Sequence, residues 1–258
     1  MKIGLIGVGN MGEALLAGLL YNTKSEDVFF TAQSSATIKR ILHKYNITNC
    51  RSNLELTLEC QVIILATKPN VYYSIIEEIL PALAKDKILI SITPSFSIAK
   101  LEQLSGHRAI IVRTIPNTPV KVRAGIILTA FQKDVDIKTK QLIDDIFSPL
   151  GKVIEIKEEY FAVASSLSGS SPALVEYLIK AFIEYGLTKG IDPQIVKKLV
   201  VDSFSGTSKL VDNSSEDLLE MIDAVCSKGG STIEGIEYLD KSEVTTIIFN
   251  SLDAITRR

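Results

Sequence analysis

The run KIGLI at residues 2–6 passes directly into GVGNMG, and from there into the helical stretch EALLAGLL. Glycines at positions 7, 9 and 12 between a strand and a helix predict a βα unit whose turn can cradle a phosphate. Gly7 permits the tight turn, Gly9 lets the backbone approach a pyrophosphate, and Gly12 allows close packing of helix on strand. The N–H groups of Asn10, Met11 and Gly12 then have no partner within the helix and face the phosphates with the helix dipole behind them. The bland alternative is a glycine-rich turn with no ligand. A strand before the turn and a helix after it speak for the dinucleotide site.

The rest of the first half repeats this alternation. VFF, QVIILAT, KILISIT, AIIVRTI, GIILTA and KVIEI are short β-branched runs separated by amphipathic stretches, which predicts βαβ units around a mainly parallel, doubly wound sheet. Four of the runs are apolar on both alternating faces, as strands covered by helices on both sides tend to be. After KVIEI no comparable run appears and helical spacing takes over. The expected domains are therefore a dinucleotide-binding domain over 1–156 and an all-helical domain over 157–258. Within the second, Leu174, Tyr177, Leu178, Ala181, Phe182 and Tyr185 fall on one helical face, and Asp192 with Pro193 reads as the cap and first turn of another helix.

Composition removes several classes of partner. With 258 residues, 46% hydrophobic and 22% charged, the chain should build real cores. A formal charge of -2 without a basic run excludes the footprint of a nucleic-acid binder. Cys50, Cys60 and Cys226 show no CxxC spacing, so neither a disulfide framework nor a metal site is expected, and a reducing, cytoplasmic compartment fits. Glu13 interrupts the apolar start well short of a spanning length, so no signal peptide or membrane span is read.

The end of the second strand bears on the cofactor. An acidic residue there would bind the ribose 2′-hydroxyl of NAD, whereas hydroxyl and basic groups accommodate a 2′-phosphate. TAQSSATIKR offers Ser34, Ser35, Lys39 and Arg40 and no carboxylate, so NADPH is expected, with NADH left open. Ser34 or Ser35 as an ordinary helix cap is the duller reading, and the two are compatible. Thr67, Lys68 and Pro69 leave the carboxyl edge of the sheet after QVIIL, where ligands of open α/β folds bind; Lys68 there is either a cofactor contact or an ordinary solvated charge. PNTP at 116–119 follows AIIVRTI in the same way, as a ligand loop or as a rigid turn.

In the helical half, CSKGGSTIEGIEYLD places Gly229 and Gly230 at a sharp turn, with Ser231 or Thr232 expected to cap the next helix. Its first N–H groups make a carboxylate-sized anion site. Taken alone, such a start is more often a cap than a substrate site.

Together these segments resemble the pyrroline-5-carboxylate reductase family: IGLIGVGNMGEALLAGL, ATKPN, PNTPVKVRAG, LSGSSPALVEYLIKAF and CSKGGSTIEGIEYLD occur in the family's order over essentially the full length. The resemblance implies a Rossmann-type domain followed by a helical dimerisation domain, a homodimer or higher homo-oligomer, and NAD(P)H-dependent reduction of 1-pyrroline-5-carboxylate to L-proline, the last step of proline biosynthesis. Carried over by position, it implies cofactor contacts from Gly7 to Gly12, Ser34, Asn53 and Ala66 to Pro69. It implies substrate contacts from Ser231 and Thr232, with the Thr232 hydroxyl on the ring nitrogen, and from Glu158, which matches a carboxylate near the substrate amine in some members. Asn53 as a loop residue and Glu158 as a solvated charge are the alternatives. Lys228 stands where the family has proline, Ser171 where it has glycine, and Pro94 where a small, flexible pair is usual. A protonated imine is already electrophilic at carbon, so the absence of His43 and His107 from any motif suits the chemistry. Two rivals remain: a hydroxyacid-type dehydrogenase, for which Lys180 sits only near the end of its helix, and a paralogue that reduces another cyclic imine or binds nucleotide without this turnover.

Overall fold

The structure, a computed structural model, describes residues 1–226 and 229–257. The chain divides into two compact units, Met1–Gly169 and Ser170–Arg258.

Eight strands form one sheet in the first unit: β1 (Ile3–Ile6), β2 (Val28–Thr31), β3 (Thr48–Asn49), β4 (Val62–Leu65), β5 (Ile88–Ser91), β6 (Ile110–Pro116), β7 (Gly125–Phe131) and β8 (Gly151–Glu155). Their spatial order is β3-β2-β1-β4-β5-β6-β7-β8. The helices of this unit are α1 (Asn10–Asn22), α2 (Ser35–Lys44), α3 (Asn53–Glu59), α4 (Tyr72–Ile79), α5 (Ile98–Leu104), α6 (Ile137–Phe147) and α7 (Phe161–Ser165). Alternate strand residues feed two cores. Ile3, Leu5, Phe30, Ile64 and Ile90 pack with Leu15, Leu19, Ile41, Ile143 and Phe147 of α1, α2 and α6. On the opposite face Ile6, Ile63, Leu65, Leu89 and Ile111 pack with Leu56, Tyr72, Ile76, Leu101 and Phe161 of α3, α4, α5 and α7. Every residue of β1, β2, β4 and β5 is buried, as strands covered on both faces require.

Two features depart from the simple alternation. The two-residue β3 pairs parallel to β2 and is too short to stand out as a β-run. β6 and β7 pair antiparallel, with Thr114 opposite Thr129. The NTPVKVRA connection is too short for a parallel crossover, which takes a dozen residues or more, so β7 and β8 run against the rest of the sheet.

The second unit holds α8 (Ser171–Thr188), α9 (Pro193–Asn213), α10 (Leu218–Val225), α11 (Ser231–Lys241) and α12 (Val244–Thr256). Asp192 caps α9 as expected, its carboxylate accepting from the N–H groups of Gln194 and Ile195 at 2.9 and 3.2 Å, with Pro193 at the first turn. Phe182 meets Phe204 edge-on at 5.2 Å. Yet Val196 is the one large apolar side chain buried among the described residues of these helices. The apolar face read on α8 is laid open: Tyr177, Phe182 and Tyr185 are 69%, 58% and 67% exposed. Among the described residues no helix is long and apolar enough to cross a membrane.

The expected boundary at 156/157 falls inside the first compact unit, because Phe161 is buried in that unit's core. The intervening stretch winds through a five-residue π-helical segment, Ser166–Ser170, directly into α8.

Candidate functional site

The sheet order reverses at β1, which has β2 on one side and β4 on the other. Loops leaving β1 and β4 therefore part at their carboxyl ends and leave a crevice, the place where ligands bind in sheets of this kind. Gly7 has φ +94°, and a Cβ there would come within 2.6 Å of the Thr67 methyl. Gly12 lies so close beneath the loop that a Cβ would stand 2.3 Å from the Gly7 carbonyl oxygen. Gly9 faces open space. The helix ladder begins with the Glu13 N–H on the Gly9 carbonyl at 2.8 Å, which leaves the N–H groups of Asn10, Met11 and Gly12 without helical partners. No side chain caps them. Across the crevice, Thr67 Oγ1 is buried with no hydrogen-bond partner. An anion-binding helix start beside an orphaned hydroxyl fits a dinucleotide pyrophosphate. Ala66 is half-buried beside Thr67, and Lys68 and Pro69 are exposed at the start of the following turn.

A cavity of about 490 Å3 continues from this crevice past the ends of β1 and β2, lined among others by Gly7, Thr31, Gln33, Asn53, Thr67 and Glu78. Asn53, expected as a contact, thus reaches the cavity. Its side-chain oxygen accepts from the Thr31 hydroxyl at 2.6 Å, and its amide nitrogen donates to Glu78 at 2.7 Å. Ser34 is the N-cap of α2, accepting from the Thr37 N–H at 3.1 Å, so the cap reading holds for it. Ser35 and Lys39 are exposed on α2. Arg40, offered among the basic groups for a 2′-phosphate, is engaged within the protein. Its guanidinium pairs with Glu13 and donates to the Val8 carbonyl at 3.3 Å. Lys44 joins the same carboxylate at 2.9 Å. The Arg40 hydrogen bond, helped by Lys44, holds the Glu13 carboxyl below its ordinary value despite its burial.

Glu158 is no solvated charge. It accepts from Arg113 at 2.8 Å and from the Ile98 N–H at the start of α5 at 2.7 Å. Arg113, only 8% exposed, also donates to the Pro94 carbonyl at 2.5 Å and lies 4.5 Å over the Phe161 ring. Sequence reading missed Arg113 because it sits inside an apolar run, and a proline in the loop after β5 still offers the carbonyl that it needs.

In the second unit, Ser231 and Thr232 open α11 and are exposed. Their expected capping role is corrected: Gly230 is the N-cap and no side chain caps the helix, so neither hydroxyl is spent on it. Gly229 takes φ +75°, the left-handed turn that admits glycine readily. Lys228 lies outside the described residues. Ser171 begins α8 in a helical conformation where a side chain fits without strain. Lys180 pairs along its helix with Glu184 at 3.3 Å and is exposed. His43 and His107 are exposed outside every site described.

Comparison with known proteins bears on both units. Residues 158–258 match the family described as pyrroline-5-carboxylate reductase dimerisation, and residues 2–95 match NADP oxidoreductase coenzyme F420-dependent. The pyrroline-5-carboxylate reductase of Corynebacterium melassecola is 28% identical over 99% of this chain and 96% of its own length. The Plasmodium falciparum pyrroline carboxylate reductase, solved with NADP bound, superposes with a TM-score of 0.91 at 31% identity, covering 100% of this chain and 96% of that one. The Streptococcus pyogenes 1-pyrroline-5-carboxylate reductase gives a TM-score of 0.89 at 26% identity over 100% and 97%. With full-length identity above 30% to one member and its helical half matched by the family's own domain, the chain belongs to the pyrroline-5-carboxylate reductase family.

Proposed function

We propose that this protein reduces the C=N bond of 1-pyrroline-5-carboxylate with NADPH, giving L-proline, and that it works as a homodimer or a larger homo-oligomer in the cytoplasm. The observation that carries the reading is the crevice in which the bare N–H groups of α1 face the partnerless Thr67 hydroxyl, in a chain of this family.

The division of labour follows. Residues 1–156 hold the dinucleotide and residues 157–258 hold substrate and partner. Asn10, Met11 and Gly12 offer their N–H groups to the pyrophosphate, with Gly7 and Gly9 keeping backbone and side chains out of its way. Ala66, Thr67, Lys68 and Pro69 flank it from β4. Asn53, Ser34 and Ser35 serve the adenosine end. When bound, NADPH supplies the hydride at C4 of its nicotinamide. The N–H groups at the start of α11 hold the substrate carboxylate, with Ser231 beside them. The Thr232 hydroxyl bonds the ring nitrogen, where the electron pair of the C=N bond ends as the new C–H bond forms. That nitrogen is protonated beforehand, so Thr232 orients and polarises and no strong acid is needed. Glu158 is proposed as the carboxylate on the substrate side, a role its pairing with Arg113 must share.

The dimer reading is supported by the open apolar faces of α8 to α12. A cytoplasmic setting suits the buried free thiols Cys50 and Cys60.

Steady oxidation of NADPH on adding 1-pyrroline-5-carboxylate tests the reaction. Tight NADPH binding without turnover would instead identify a nucleotide-binding paralogue. Turnover with both cofactors at fixed substrate tests the preference, and a higher kcat/KM with NADH would overturn it.

A further inference from the structure

The adenosine end of the cavity contains a carboxylate that the sequence reading did not anticipate. Glu78 comes from the last turns of α4, far along the chain from β2, yet it lines the same cavity as Asn53 and Thr31. Its oxygens are turned to the protein. Oε1 accepts from the N–H groups of Asn53 and Leu54 at 2.9 and 3.3 Å, and Oε2 accepts from the Asn53 side-chain amide at 2.7 Å. The start of α3 is thereby satisfied by Glu78 rather than left for a ligand.

We infer that Glu78 is a positioning residue that selects for a 2′-phosphorylated nucleotide by fixing which way the Asn53 amide points. The inference rests on the reading of this cavity as the adenosine site. An ionised carboxylate can only accept, so the amide nitrogen of Asn53 must face Glu78. The Asn53 oxygen must then face Thr31, whose hydroxyl donates a hydrogen bond to it at 2.6 Å. That arrangement uses one of the two hydrogens on the Asn53 nitrogen and leaves the second as a donor. It also spends the Thr31 proton on Asn53, so the donor that this pair keeps for a ligand is the second Asn53 amide hydrogen. A donor beside the ribose suits a phosphate oxygen, whereas a carboxylate with open lone pairs would suit a ribose hydroxyl. Glu78 is thus a carboxylate near the ribose that acts through Asn53 and leaves the ribose hydroxyls without an acidic partner.

The test is Glu78→Gln, with NADPH and NADH affinities measured by fluorescence titration of the full-length protein. Glutamine both accepts and donates, so it no longer dictates the amide's orientation. NADPH affinity should fall roughly tenfold, the scale of one hydrogen bond to a charged group, while NADH affinity should change less than about twofold. An equal loss for both nucleotides reduces Glu78 to a support for α3 and overturns the inference, as does an unchanged ratio or one that moves toward NADPH. Should the single variant not fold, the double variant Glu78→Gln/Asn53→Asp decides. It restores the pairing with its polarity reversed, so NADH should then bind more tightly than NADPH, and a retained NADPH preference overturns the inference. Wild-type protein that binds neither nucleotide refutes the cavity's assignment itself, while wild-type binding with no turnover refutes only the proposed reaction.

Discussion

Thr232 stands in the first turn of α11 with its hydroxyl unused by the helix, since Gly230 supplies the cap. Valine keeps the branched shape and removes the oxygen. Thr232→Val should therefore lower kcat/KM by roughly one to two orders of magnitude, the worth of about 1.5 to 3 kcal/mol for a bond to the substrate nitrogen. Thermal unfolding should hardly change, because no cap is lost. Unchanged kinetics would remove Thr232 from the chemistry. The opposite profile is expected at Gly12, where an added methyl would stand 2.3 Å from the Gly7 oxygen. Gly12→Ala should weaken NADPH binding at least tenfold and lower the melting temperature, as overpacking against backbone costs about 1–3 kcal/mol; titration and calorimetry would check both. These glycines were legible in the sequence because the absence of a side chain is itself the structural instruction. Arg113 was not, because what marks it is a partner forty-five positions on, Glu158, and no local pattern encodes such a pair.

At the scale of elements, that pair ties β6 to the start of α5 through Glu158 and to the loop after β5 through Arg113. Glu158→Ala would strand a buried guanidinium, so stability should fall by about 2 to 4 kcal/mol. If Glu158 also reaches the substrate amine, the KM for the imine rises as well, and measuring both separates the two roles. Glu13 links α1 to α2 through Arg40 and Lys44. Its pKa is lowered in the folded protein, so its stabilising contribution is complete above the ordinary glutamate value of 4.5 and is lost as pH falls through the lower, folded value. Glu13→Gln should melt earlier than wild type at neutral pH, and the gap should close in acid. A constant gap from pH 7 to pH 3 would show that the ion pairs contribute nothing. The strand and helix alternation was readable from hydrophobic period alone. The reversal at β7 was not read, although its short connection dictates it, and β3 is too short to carry a period at all.

For the whole molecule, the two halves stand very differently toward water. The sheet unit buries both of its faces, whereas the helical unit displays Tyr177, Phe182, Tyr185, Leu219 and Phe249 with exposures above one half. Light scattering should find a dimer or larger assembly and no active monomer if, as proposed, a second copy covers these apolar faces. The residue pattern announced these faces in advance, but periodicity states only that a face is apolar and never what lies against it. Exposure of this kind makes protein concentration a thermodynamic variable in its own right. If the helical unit pairs with a second copy as proposed, that copy acts as any ligand that binds only the folded form, raising the midpoint of unfolding by mass action. The sheet unit, complete in itself, has no such dependence. Denaturation followed at several dilutions should therefore split into a transition that stays fixed and one that slides downward as the solution is thinned.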